Sequence, residues 1–98
     1  MKLVWSPLAV HRASEIAGYI ARDKPSAAEQ WTNTIFAKVK QLKSNPEMGR
    51  IVPEIKNSQF RKLLYGNYRI IYRMEKNQIS ILTIRHGKQI LPIKEIKI

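Results

Sequence analysis

The sequence predicts an α+β fold: a first strand, a two-helix hairpin, then a small antiparallel sheet that carries the helices on one face. Three observations predict it. Two segments in the first half repeat their apolar residues at about 3.6-residue intervals and are punctuated by prolines. The stretch from Phe60 to Lys88 holds three runs rich in Tyr, Ile, Leu and Thr, separated by Gly and Asn. A short apolar run, Lys2-Leu3-Val4-Trp5, precedes everything and reads as a strand.

The first helix begins at Ser6-Pro7. Serine is a good N-cap, and proline at the first helical position lacks only an N–H that has no partner there anyway. Ala9, Ala13, Ile16 and Ile20, with Tyr19 alongside, recur at helical spacing to about Arg22, while Arg12, Glu15 and Arg22 lie off the stripe. Asp23-Lys24-Pro25 breaks this helix. Ser26 with Glu29 three residues on predicts a capping box that opens the second. Ala28, Trp31, Ile35, Val39 and Leu42 form its stripe, and Lys38, Lys40 and Lys43 suit its C-terminal dipole. Asn45-Pro46 ends it. The short connection makes the helices antiparallel neighbours. Residues 46–59, with two prolines, a glycine and no period, read as a loop from helix to sheet.

The three runs that follow are joined by two-residue turns, Gly66-Asn67 and Lys76-Asn77, residues that tolerate hairpin geometry. Tyr65 then opposes Tyr68, and Glu75 opposes Gln78. Alternation puts Leu63, Tyr65, Tyr68, Ile70, Tyr72, Met74, Ile79 and Ile81 on a core face. The other face collects Lys62, Arg69, Arg73 and His86 with Leu64, Ile71, Leu82 and Ile84, a cationic surface interleaved with aliphatics. A one-residue slip would invert this assignment. The tail Ile90 to Ile98 fits either an added strand or a loose extended segment.

Ninety-eight residues suit one domain, 1–98. No run approaches the roughly 18 apolar residues of a membrane span, and MKLVWSPL lacks the apolar region of a secretory signal. Without cysteine there are no disulfides or thiolate metal sites. A cytoplasmic protein is expected. The two histidines, His11 and His86, are far apart, and neither a metal-ligand spacing nor a phosphate-cradling glycine loop occurs. No metal and no cofactor is expected. The net charge of +11 is unevenly spread: residues 56–98 hold ten Lys or Arg against two Glu. Such asymmetry implies a polyanionic partner, either nucleic acid or an acidic protein segment.

Arg61-x-Leu63, then Gly66-Asn67-Tyr68-Arg69-Ile70-Ile71-Tyr72-Arg73, then a hydrophobic strand ending Arg85-His86-Gly87-Lys88, resembles the RelE/ParE superfamily of bacterial toxins. The likeness spans nearly the whole chain, and superfamily members often carry a similar Pro…Gly-Arg…Pro-Glu connection between helix and sheet. It implies the toxin half of a type II toxin–antitoxin, or plasmid stabilisation, module, with a cognate antitoxin as partner. Two targets follow, one per branch. RelE-like toxins are ribosome-dependent, metal-independent mRNA endonucleases (mRNA interferases); in that reading His86 is the acid or base, with Arg69 and Lys62 on the phosphate. Their usual terminal tyrosine is missing here, since the chain after Ile84 reads RHGKQILPIKEIKI. His-Gly followed by a basic residue, and the Arg61-x7-Arg69 spacing, look more like the ParE branch, whose toxins poison DNA gyrase. There Arg61, Lys62, Arg69, Arg73, Arg85, His86 and Lys88 bind target or antitoxin and catalyse nothing.

Several of these residues have a structural alternative. Arg61 and Arg73 can lay their stems across the sheet or pair with Glu75. Tyr68 and Tyr72 read as core, and Trp5 and Trp31 as packing residues. The mixed aliphatic and cationic face is expected to be covered by an acidic, partly apolar antitoxin segment that orders on binding.

Overall fold

The computed structural model describes residues 1–87 and 91–95. In chain order it contains β1 (Lys2–Trp5), α1 (Pro7–Asp23), α2 (Pro25–Lys40) with a 3-10 turn Gln41–Lys43, β2 (Arg50–Ile51), β3 (Phe60–Tyr65), β4 (Tyr68–Met74), β5 (Gln78–His86), and a 3-10 turn Ile93–Glu95. The five strands form one sheet in the order β1-β5-β4-β3-β2. The expected α+β architecture is present. The sheet is mixed, because β1 lies parallel to β5 with Leu3 opposite Ile79 and Trp5 opposite Ile81. A parallel neighbour needs a long crossover, and the helical hairpin supplies the chain for it.

Ser6 caps α1 as expected, its Oγ accepting from the Ala9 N–H at 3.0 Å, and Pro7 occupies the first turn. The capping box at Ser26 does not form: α2 starts at Pro25, its N-cap is Lys24, and no side chain caps it. Proline drives the residue before it into extended backbone and is itself well placed in a first helical turn. Lys24 is therefore extended, and Pro25 both ends α1 and begins α2, one residue before the serine. Lys24 also donates its backbone N–H to the Ile20 carbonyl, closing the end of α1.

The two apolar stripes pack on one face of the sheet. Trp31, Ile35, Val39 and Leu42 from α2 and Ala9 from α1 meet Leu63, Ile70, Tyr72, Ile79 and Ile81, with Ala13, Ile16 and Ile20 packed alongside. Trp31 stands edge-on to Tyr68 at 5.6 Å. Both hairpins have the expected register: Tyr65 pairs with Tyr68 around Gly66, whose φ of +57° calls for glycine, and Met74 pairs with Ile79.

One irregularity changes the faces. Ile71 pairs with Thr83 but Tyr72 with Ile81, so Leu82 has no opposite residue. This β-bulge moves everything after it by one position, which exchanges sides. Ile84 consequently joins the helix-side core rather than the second face, and His86 follows it to stand edge-on to Tyr68 at 5.7 Å. Ser6 holds the bulge: its N–H donates to the Ile81 carbonyl at 2.9 Å, and its Oγ donates to the Leu82 carbonyl at 2.8 Å.

The second face is closed by the chain itself. Ile71 and Leu82 cluster with Val52, Leu91, Ile55 and Phe60. The 46–59 connection thus lies over the sheet, with a two-residue strand paired to β3, and Leu91 reaches the same cluster. Of the aliphatics expected to lie open there, Leu64 alone is exposed. Residues 91–95 form neither an added strand nor a loose segment, since Leu91 and Glu95 are buried and a 3-10 turn ends the described chain. The rest of the tail reading, at Ile90 and 96–98, falls outside the described residues. No helix among the described residues is long and apolar enough to cross a membrane.

Candidate functional site

The predicted site residues separate into three environments. Arg69 is 5% exposed beneath the 46–59 loop, and its two terminal nitrogens grip both carboxylate oxygens of Glu54, Nη1–Oε1 at 3.1 Å and Nη2–Oε2 at 2.7 Å. The hydrogen bonds from Arg69 hold the Glu54 carboxyl below the usual glutamate range, against a smaller opposing effect of burial. A planar guanidinium suits this two-point grip. A cation set among Tyr68, Ile70 and Ile71 thus has an internal counter-ion, supplied by the loop that covers it.

Arg61 is also turned inward. Its guanidinium donates to the carbonyls of Ser58, Glu47 and Gly49, the last at 3.1 Å, and so ties both ends of the loop to β3. Tyr72 completes the tie: its hydroxyl donates to the Pro46 carbonyl at 2.7 Å and accepts from the Gly49 N–H at 3.0 Å. Burial pushes the Tyr72 phenol up from its ordinary value, so it stays a neutral donor. Arg73 lies over the Phe60 ring at 5.5 Å, while Glu75 takes hydrogen bonds from Ser80 and Gln78. Lys62 is half-buried on β3 opposite Arg50 of β2.

The third environment lies at the open end of β5. β1 pairs β5 only as far as Ile81, and beyond it α1 packs along β5. There Arg85 Nη1 meets Glu95 Oε2 at 3.1 Å, Arg12 Nη2 reaches the same oxygen at 3.4 Å, and Thr83 donates to Glu95 Oε1 at 2.8 Å. Glu95 is buried, so three donors converge on one enclosed carboxylate. Arg12 extends its other nitrogen to Glu15 at 2.9 Å. His86 follows on the helix side, beside Tyr68 and Tyr19 in the cleft between α1 and the strand ends. Lys88 lies outside the described residues.

The trio expected to cut RNA, His86 with Arg69 and Lys62, is not brought together. Arg69 and Lys62 point to the second face, whereas His86 lies on the helix side of the sheet, exchanged there by the bulge. Sequence reasoning missed Glu54, Glu95 and Arg12 as determinants of these cations. The available signal was only the scarcity of carboxylates: with seven Asp and Glu in the chain, each is a candidate counter-ion for a strand arginine, however distant in sequence.

Comparison with known proteins bears on this arrangement. The family model described as the ParE toxin of the type II toxin–antitoxin system parDE matches residues 3–91. A curated relative described as "Putative toxin Y4kP", from Sinorhizobium fredii (strain NBRC 101917 / NGR234), is 33% identical over 91 residues, covering 93% of each chain. Among solved structures, a chain described as "Chromosomal ParDE TA system from P. aeruginosa" superposes with a TM-score of 0.73 at 23% identity, covering 90% of this chain and 97% of that one. Identity that low speaks for the fold alone.

Proposed function

Because the chain belongs to the ParE toxin family of type II toxin–antitoxin systems, we propose that it arrests growth by binding DNA gyrase in the cytoplasm and is neutralised by an acidic cognate antitoxin. Membership makes it the toxin component of such a module; the target and the form of the antitoxin are the proposal. The observation that supports a binding protein over a ribonuclease is the separation of His86 from Arg69 and Lys62 by the bulge in β5. In-line cleavage of RNA needs a general acid or base and a phosphate-stabilising cation within reach of one phosphodiester. Here His86 and the cations expected to serve it, Arg69 and Lys62, occupy opposite faces of the sheet, and Arg69 is already gripped by Glu54. The arginines that do share the His86 cleft, Arg12 and Arg85, are held by Glu95.

The deciding experiment induces the chain briefly and scores chromosomal double-strand breaks against ribosome-dependent mRNA cleavage, with purified gyrase assayed for trapped DNA cleavage in parallel. DNA breaks with intact mRNA are expected. Cleaved mRNA whose rate falls about 10²-fold in a folded His86→Gln variant would overturn the reading in favour of general acid–base catalysis.

A further inference from the structure

With the second face closed by Val52, Ile55 and Leu91, one place where arginines remain open to a partner is the edge of the sheet. Where α1 runs beside the end of β5, the two part to leave a cleft of about 330 Å³, lined among others by Arg12, Tyr19, Tyr68, Ile84, Arg85 and His86. Tyr19 is 71% exposed, the highest value among the exposed large hydrophobic residues described, although it sits on α1 between the packed residues Ile16 and Ile20. The arginines are pre-oriented. Glu95, itself fixed by Thr83, anchors one terminal nitrogen of each, and the buried Nε–H of both Arg12 and Arg85 has no hydrogen-bond partner among the described residues. Exposed tyrosine beside immobilised arginine is the composition that dominates binding energy at protein interfaces.

We propose that this cleft docks a carboxylate side chain of an acidic antitoxin segment, with an apolar or aromatic neighbour of that carboxylate lying against Tyr19 and Tyr68. The inference rests on the toxin–antitoxin reading and adds the site and the chemistry of the contact. The cleft's volume admits a side chain or two rather than a track of nucleotides. Glu15 and Glu95 beside the arginines oppose a run of phosphates, whereas one carboxylate needs only one set of donors. Glu15 is half exposed where it meets Arg12, and exposed pairs of this kind exchange partners at little cost.

The test uses phenylacetate as the probe and benzyl alcohol as its uncharged control, titrated into the full-length chain and followed by NMR. Phenylacetate is expected to shift the Arg12 and Arg85 Nε–H signals and the Tyr19 ring saturably, with a roughly millimolar Kd. The effect should weaken by about tenfold or more in Tyr19→Ser, whose exposed site leaves the thermal midpoint unchanged. Shifts that fail to saturate, spread over the lysines, or match those with benzyl alcohol would overturn the site. In a second arm, the chain is co-expressed with the gene adjacent to its own and the complex is purified. Tyr19→Glu is expected to weaken that complex by about tenfold or more. A parent complex matched by an equally tight Tyr19→Glu complex would overturn the cleft as the antitoxin's site. Failure of the parent to form any complex counts against the toxin–antitoxin reading instead, and the phenylacetate titration then decides the cleft by itself.

Discussion

Arg69 shows how little a residue's identity says about its role before its neighbours are known. Among Tyr68, Ile70 and Ile71 it reads as a functional cation, because an unpaired charge there would be costly. The charge is paired, by Glu54. Arg69→Glu is therefore a poor probe of a binding surface: it would set two carboxylates together under a loop and unfold that loop. Glu54→Gln is the cleaner variant. The Glu54 side chain is 37% exposed, so the loss is discounted for solvent to about 1–2 kcal/mol. The sign of its pH dependence follows from the lowered carboxyl of Glu54. The parent's advantage over Glu54→Gln should be fully present above the unfolded value of about 4.3 and disappear as pH falls through the lower folded value. Paired urea titrations across that window measure it. An advantage that grows as pH falls would contradict the pairing. Trp31, buried and edge-on to Tyr68, is a simpler case: Trp31→Ala should cost about 3–5 kcal/mol in chemical denaturation, by removing contacts and leaving a cavity.

At the scale of elements, the 46–59 connection acts as a strap rather than a passive link. Its first turn is held by the Tyr72 hydroxyl and Arg61, its middle by Val52 in the second cluster, and Glu54 by Arg69. Gly49 is required for steric reasons: a Cβ there would lie 2.6 Å from the Tyr72 hydroxyl and 2.7 Å from the Lys62 carbonyl. The Lys62 carbonyl is backbone and cannot rotate away, and the Tyr72 ring is fully buried. Gly49→Ala should cost more than about 2 kcal/mol, with trypsin cutting sooner at Arg50 and Lys56. Tyr72→Phe, which loses two hydrogen bonds but keeps the ring, should cost about 1–2 kcal/mol and accelerate the same cleavages less. Equal protection of the loop in all three proteins would show that the strap is held by other contacts.

Charge acts at the scale of the whole molecule. At least four of the seven carboxylates are tied internally: Glu15, Glu54 and Glu95 in ion pairs and Glu75 to Ser80 and Gln78. The chain nonetheless carries +11, and most of its described lysines are exposed to water. Association with an acidic antitoxin should therefore be fast at low salt. Its rate should fall steeply between about 50 and 200 mM salt, while the dissociation rate, governed by packed contacts, changes little. Stopped-flow mixing of toxin and antitoxin over that range measures both. An association rate independent of salt would show that the net charge does not steer this encounter.

Much of the architecture was legible in the chain alone. Pro7, Pro25 and Pro46 delimit the helices, the 3.6-residue stripes select their buried faces, Gly66 allows the first hairpin turn, and both hairpins close in the expected register. These features depend on backbone sterics and periodicity, which act over a few residues. The candidate site was legible only as a list of cations. Which of them meet depends on a single unpaired residue, Leu82, that moves Ile84 and His86 to the helix side, and on carboxylates 15 residues from Arg69 and 83 residues from Arg12. No local pattern encodes such encounters. A bulge arises from how two strands and the Ser6 cap fit together, and an ion pair from where a loop and a terminal turn come to rest. Only the packed chain decides them.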